Sequence, residues 1–190
     1  MDIFEFNKNP DAYAVMGNPI SHSKSPYIHQ QFAKQSNQDI VYQAIQVDLG
    51  GFSQAIGNFF ANGGKGLNIT VPFKQEAYQS VDRLSQSAKT AGAVNTISIE
   101  PDGSLLGDNT DGVGLVRDLS INHRLSLKDK RGLILGAGGA TRGIIEPLLL
   151  ANVSEIVIVN RTLHKAEDIE KSFCELTTEQ KVSAINYASL

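Results

Sequence analysis

Residues 131–153 read RGLILGAGGATRGIIEPLLLANV. A short apolar run meets a cluster of glycines, and a helical pattern rich in Leu and Ile follows. A short apolar run closed by Gly reads as a buried strand, and the longer 3.6-residue pattern reads as a helix. Glycines at this point are informative because of that context; their spacing alone would be weak. Gly136 permits a tight turn, and Gly138 lets the backbone approach a pyrophosphate. The free N–H groups and positive dipole end of the helix then face the anion. The turn comprises Gly136, Ala137, Gly138, Gly139, Ala140 and Thr141. Its third signature position is Thr141 rather than Gly or Ala, so close packing is expected to fall to Gly139 and Gly143.

Downstream, EIVIVNRT (155–162) reads as the next strand, Leu163 to Leu176 as a helix and VSAIN (182–186) as a third strand. In sites that prefer NAD, a carboxylate about 20 residues past the glycines takes the ribose hydroxyls. Here the second strand runs instead into Asn160, Arg161 and Thr162, with Lys165 close behind. A guanidinium matches a 2′-phosphate, so the expected cofactor is NADP rather than NAD. A complete doubly wound domain has about six strands. The 60 residues from Arg131 to Leu190 hold roughly two βα units and a further strand. The expectation is a C-terminally shortened Rossmann domain, with the strand at 182–186 as an unprotected sheet edge.

Upstream, AYAVMG (12–17), VYQAIQV (41–47) and GLNITV (66–71) read as strands. A helix is expected from about Pro26 to Gln35. Phe52, Ile56, Phe59 and Phe60 share one helical face that ends at Asn62-Gly63-Gly64, and Pro72 opens a further helix. AVNTISIE (93–100), the turn PDG and SLLGDN (104–109) read as a hairpin. TDGVGLVRDLSI (110–121) reads as a helix with Thr110 or Asp111 near its cap, and LSLKDKR (125–131) as a connector. The fold class is therefore α/β. An N-terminal α/β domain with a mostly parallel sheet spans 1–110, and a partial Rossmann domain spans 111–190, hinged on the helix at 110–121.

Composition narrows the function. Seventeen Lys+Arg against twenty Asp+Glu give a formal charge of −3, without the positive field that non-specific nucleic-acid binding needs. The single cysteine, Cys174, excludes an internal disulfide framework and fits a reducing compartment; on its helix it reads as a packing residue. His29, His123 and His164 show no metal-ligand spacing, and His22 reads as a hydrogen-bonding loop residue. No apolar run approaches the length of a membrane span, and the start MDIFEFNKNP lacks a signal pattern. A soluble, cytoplasmic protein acting on a small molecule is expected, with neither nucleic acid nor membrane as partner.

Four polar clusters fall at strand ends: GNPISHSKSP (17–26), NITVPFK (68–74), GAVNT (92–96) and GDNTDG (107–112). Open α/β sheets bind ligands there, and Ser, Thr, Asn, Asp and Lys together suit a small ligand with hydroxyls and a carboxylate. These segments, followed by GAGGAT and NRT, resemble shikimate dehydrogenase from about residue 12 to 175. The resemblance implies reversible NADP-dependent reduction of 3-dehydroshikimate to shikimate, on the chorismate route to aromatic amino acids. It implies that Ser23 and Ser25 bind the substrate carboxylate and that Thr70, Asn95 and Asp111 bind ring hydroxyls. Lys74 is implied as the catalytic residue with Asp111 as its partner. The Gly136–Thr141 turn would hold the pyrophosphate, and Asn160, Arg161, Thr162 and Lys165 the adenosine ribose phosphate. The family often carries Arg at the last position; Lys165 keeps the charge but not the bidentate fork.

Carbonyl reduction needs a proton for oxygen as well as a hydride for carbon. Lys74 suits either of two roles, proton donor and acceptor or electrostatic stabiliser of the developing alkoxide. A carboxylate beside it favours the ammonium and burial opposes it, and both roles require Lys74 and Asp111 to meet in one cleft. Two alternatives stand beside the enzyme: a shortened, catalytically inactive shikimate-binding fragment, and a quinate/shikimate dehydrogenase using NAD.

Overall fold

The computed structural model describes residues 10–174 and 180–190; residues 175–176, expected at the end of the last helix, lie outside them. The elements run β1 (Asp11–Gly17), α1 (Ser25–Ser36), β2 (Ile40–Gln46), α2 (Phe52–Ala61), β3 (Gly64–Ile69), α3 (Lys74–Gln79), β4 (Arg83–Leu84) and α4 (Gln86–Ala91). They continue with β5 (Thr96–Ile99), β6 (Leu105–Asp108), α5 (Asp111–Arg117), β7 (Arg131–Leu135), α6 (Gly139–Leu150), β8 (Glu155–Val159), α7 (Leu163–Cys174) and β9 (Lys181–Ile185). The chain divides into two compact units. One holds the described residues up to Leu84 with Val94–Gly107; the other holds Ser85–Ala93 with the described residues from Asp108 onward.

The first unit is built on a six-stranded sheet of order β2-β1-β3-β5-β6-β4. β1 lies parallel to both β2 and β3, β5 is antiparallel to β3, and β4 is parallel to β6. Ala14, Val15 and Met16 of β1 are all buried, as a strand covered on both faces requires. Helix α2 buries Phe52 and Ile56, and the Phe52 ring stacks on Phe73 with centroids 4.8 Å apart. Gly64 admits the Phe59 ring, which a Cβ would meet at 2.1 Å. The expected hairpin forms from β5 and β6, closed by the Glu100 N–H on the Ser104 carbonyl at 2.8 Å.

The second unit carries the parallel sheet β7-β8-β9. Helices α6 and α7 bury Ile145, Ile169 and Phe173 in one core with Ile156 and Ile158 of β8. Each such side chain contributes roughly 1.5–3 kcal/mol by leaving water. β9 lies at one sheet edge and β7 at the other, where Leu133 and Leu135 are exposed. The mixed α/β class with mostly parallel pairing agrees with the sequence pattern.

Several local expectations are corrected. β3 ends at Ile69 rather than Val71: the chain turns at Thr70, whose carbonyl accepts the Phe73 N–H at 3.0 Å. Helix α3 accordingly starts at Lys74, with Pro72 in the preceding turn rather than opening the helix. β4 and α4 were not expected. Ser85 caps α4 by accepting the Ala88 N–H at 3.1 Å. α5 ends at Arg117, and residues Asp118–Asn122 form a wider π-type turn instead of continuing the α-helix. Cys174 is exposed, not packed. Among the described residues, no helix is long and apolar enough to cross a membrane, and no group of His, Cys, Asp and Glu could hold a metal ion.

Candidate functional site

In the first unit, the parallel strands β1 and β3 end side by side, and the loops leaving them are laced together. Asn18 N–H donates to the Val71 carbonyl and Thr70 N–H to the Met16 carbonyl, both at 3.0 Å. The Asn18 side-chain amide donates to the Val47 carbonyl at 2.9 Å. A third strand end joins through Ile69 N–H on the Asn95 carbonyl (2.8 Å) and Val94 N–H on the Lys74 carbonyl (2.9 Å). Thr70, Lys74 and Asn95, far apart in sequence, are thus held on one interlocked set of loops. Ser23 and Ser25 lie on the loop from β1 into α1, where the Ser25 N–H donates to Ser23 Oγ at 3.3 Å. Lys74 is half-buried at the first position of α3.

Beneath these loops lies a chain of polar side chains. Tyr42 Oη donates to Asn68 Oδ1 at 2.7 Å, Asn68 Nδ2 to Thr96 Oγ1 at 3.3 Å, and Thr96 Oγ1 to Asn95 Oδ1 at 2.9 Å. Asn95 is only 8% exposed. His29 stacks flat on Tyr42, with centroids 4.1 Å apart. Burial pushes the Tyr42 phenol up to about 12, against a smaller opposing pull from its hydrogen bond with Ser25. Burial likewise lowers the pKa of His29. Tyr42 escaped the sequence reading because it sat in a strand read only for its alternation. An inward-facing tyrosine whose hydroxyl must find a partner is the available signal.

In the second unit, the glycine turn follows the C-terminal end of β7. Gly136 has φ +111°, which explains why that position is glycine. Its N–H donates to the Val159 carbonyl at 2.7 Å, tying the turn to the end of β8. At Gly138 a Cβ would meet nothing within 4 Å, so this glycine leaves an open cradle rather than filling a packing need. Helix α6 starts beside it with no side-chain cap, its first amides available to an anion. This donor set fits a dinucleotide pyrophosphate. Thr141 is buried and bonds Oγ1 to the Gly136 carbonyl at 2.9 Å, which explains the departure from Gly or Ala: the hydroxyl closes the turn. Gly143 does provide close packing, since its Cβ would lie 3.0 Å from Asn109 Oδ1. Gly139 is looser, at 3.8 Å from Ala93 Cβ.

Asn160, Arg161 and Thr162 form the loop after β8. The Asn160 amide donates to the Thr162 carbonyl at 2.7 Å, and the Lys165 N–H to the same carbonyl at 3.2 Å. Arg161 and Lys165 are exposed, so both cations remain available to a solvated phosphate. Asp111 heads α5, and its N–H donates to Asn109 Oδ1 at 3.2 Å. Asn109 in turn donates to the Ala93 carbonyl at 3.0 Å. Asp108 accepts from Ser85 Oγ at 2.5 Å and Ser87 Oγ at 2.6 Å. Burial pushes its carboxyl up, but these bonds and the Asn109 N–H together outweigh it and hold the pKa below its ordinary 3.8.

Comparison with known proteins adds a second line. The family model described as the shikimate dehydrogenase substrate binding domain matches residues 15–97. The model described as shikimate / quinate 5-dehydrogenase matches residues 119–189. A protein of Alkalilimnicola ehrlichii named shikimate dehydrogenase (NADP(+)) is 52% identical over 180 residues, covering 95% of this chain and 65% of its own length. Among solved structures, the Ael1 enzyme from Pseudomonas putida is 44% identical with a TM-score of 0.85, covering 95% of this chain and 65% of that one. Shikimate 5-dehydrogenase from Listeria monocytogenes, in complex with shikimate and NAD, is 30% identical with a TM-score of 0.85, covering 96% and 63%. The chain thus spans somewhat less than two thirds of the relatives it matches.

Proposed function

The chain belongs to the shikimate dehydrogenase family, and from that premise we propose that it forms the greater part of an enzyme that reversibly reduces 3-dehydroshikimate to shikimate with NADPH. The reaction is a step of the chorismate route to aromatic amino acids, and it is assigned to the cytoplasm. One observation carries the reading: two family matches lie in order along the chain and enclose every candidate residue except Asp111, which lies between them. The first encloses Ser23, Ser25, Thr70, Lys74 and Asn95; the second encloses the Gly136–Thr141 turn, Asn160, Arg161, Thr162 and Lys165. Residues 1–110 then serve as the substrate domain and 111–190 as the nucleotide domain.

In this mechanism Ser23 and Ser25 receive the substrate carboxylate, while Thr70, Asn95 and Asp111 receive ring hydroxyls. The Gly136–Thr141 turn offers backbone amides to the pyrophosphate. Asn160, Arg161, Thr162 and Lys165 would hold the ribose phosphate. NADPH, when bound, supplies the hydride. Lys74 Nζ stands at the carbonyl oxygen, either passing it a proton or stabilising its negative charge. Asp111 is its proposed partner.

The deciding experiment follows NADPH oxidation with 3-dehydroshikimate and repeats it with NADH. Turnover that prefers NADPH supports the proposal. Binding of shikimate by calorimetry without turnover would make this 190-residue chain a binding fragment. The NAD complex of the Listeria relative favours a second reading, in which NADH serves equally well. Equal rates with both nucleotides would establish it.

A further inference from the structure

Asn109 has no part in the function proposed above, yet it is only 3% exposed and its side-chain amide is engaged at both ends. Nδ2 donates to the Ala93 carbonyl at 3.0 Å, and Oδ1 accepts the Asp111 N–H at 3.2 Å. The first partner can only accept and the second can only donate, so the two backbone groups fix which end of the amide is which. Helix α6 gives this amide room only because position 143 has no side chain. A Cβ there would come 3.0 Å from Oδ1, 3.3 Å from Nδ2 and 3.4 Å from Cγ.

The backbone that bears Asn109 is tied down in turn. Asp108 Oδ1 accepts from Ser85 Oγ, Ser87 Oγ and the Asn109 N–H, at 2.5, 2.6 and 2.8 Å. Ser85 and Ser87 stand at the start of α4, and Ala93 lies just past its end. The Asp108–Asn109 step is therefore bonded to both ends of one helix, and all of these residues belong to the second unit. The first amides of a helix have no partner within it. At the head of α5 a buried side chain of fixed orientation takes that of Asp111.

We propose that Asn109 is a positioning residue for Asp111: its amide, tethered to the Ala93 carbonyl and seated against Gly143, fixes the first residue of α5 and with it the stem of the Asp111 carboxylate. The functional part of this rests on the reading that Asp111 receives a ring hydroxyl of shikimate, and Asn109 acts through it. Asparagine is specified here by its two ends. A serine hydroxyl is a single atom and cannot bridge both backbone groups, and a carboxylate would turn a second acceptor toward the Ala93 carbonyl.

The test reads the Asp111 backbone amide by NMR in the ligand-free chain. Asn109→Ala should shift its resonance and speed its hydrogen exchange about tenfold, the scale of one lost hydrogen bond. The amides of Ile156 and Ile158, in the second unit's core, should keep their protection. Asn109→Ser is the milder probe should the Ala variant not fold. Its hydroxyl can accept the Asp111 N–H, as serine does more weakly than asparagine two residues on, but it loses the tether to Ala93. Exchange should then speed by a smaller factor. Exchange at the unmodified rate in either variant would overturn the proposal. Shikimate binding, read by calorimetry, is the second arm. Asn109→Ala should weaken it about tenfold, and in an Asp111→Ala background the same change should cost nothing more, because its effect passes through that carboxylate. An equal loss in both backgrounds would make Asn109 a merely structural residue and overturn the proposal. If the unmodified chain binds no shikimate, the functional reading falls, and the Asp111 amide alone then decides whether Asn109 holds it.

Discussion

The two units meet their candidate ligands with different parts of the chain. In the first, the candidate groups are side chains: Ser23, Ser25, Thr70, Lys74 and Asn95 stand on loops laced by backbone bonds, and Tyr42, Asn68 and Thr96 form a hydrogen-bonded chain that ends on Asn95. In the second, the glycine turn offers backbone. Gly136 adopts a positive φ, Gly138 leaves open space, and the one side chain that matters there, Thr141, faces inward to close the turn. A ligand bound by side chains is lost when an atom is removed, whereas a ligand bound by backbone is lost when an atom is added.

That contrast can be broken at its strongest point. In a form that turns over, Lys74→Met should lower kcat by about 10²–10⁴-fold, the range for a lost acid–base group, with little change in KM. A loss of only a few-fold would remove Lys74 from the reaction.

Addition is tested next, at Gly112. A Cβ there would lie 2.2 Å from the Gly143 carbonyl oxygen and 2.5 Å from Pro147 Cγ. Backbone cannot yield cheaply, so Gly112→Ala should cost about 1–3 kcal/mol and lower the melting temperature by several degrees. Gly138→Ala sharpens the point, because its Cβ meets nothing. It should leave the melting temperature within about 1 °C, a change below 0.5 kcal/mol, while weakening NADPH. If both glycine variants melt like the unmodified chain, the close approach at Gly112 is not structural.

Arg161→Leu is the removal counterpart on the nucleotide side. It should raise KM for NADPH on the order of tenfold, as expected for a lost charge-assisted bond, and leave KM for NADH nearly unchanged. Equal rises would mean that Arg161 does not read the 2′-phosphate.

The smallest effect concerns acid stability. Hydrogen bonds hold the Asp108 carboxyl below its ordinary 3.8 despite its burial. The folded chain therefore takes up that proton less readily than the unfolded one. The resulting stability is complete above the ordinary value and is lost as pH falls through the depressed one. Asp108→Asn should melt earlier at pH 7, and the gap to the unmodified chain should close in acid. A constant gap would show that ionisation of Asp108 is not what stabilises the fold.

What the sequence made legible was whatever rested on periodicity or on glycine. The strands β1, β2, β7, β8 and β9 and the turn at Gly136 follow from apolar runs and their punctuation. Strand β3 was overrun because Thr70 and Val71 favour extended backbone; only the bond from Phe73 to the Thr70 carbonyl shows that the chain has already turned. β4, two residues long, lies below the reach of any periodic pattern. α4 carried a readable sign in Ser85, a favourable helix cap, but six residues supply too little amphipathic pattern to confirm it. The hydrogen-bonded chain of Tyr42, Asn68, Thr96 and Asn95 was hidden for another reason. Asn68 and Thr96 stood out as polar residues at strand ends, but their partner Tyr42 lies on β2, and register between strands joins them. Cys174 misled because helical position alone does not say which face is inward.

The close approach at Gly112 and Gly143 has a mechanical consequence. With no side chain as cushion, α5 rests on the backbone of α6, and Asn109 wedges against Gly143 while holding the Asp111 amide. The head of α5 and the head of α6 are parts of one chassis. Asp111 is therefore built into the same casting as the glycine turn.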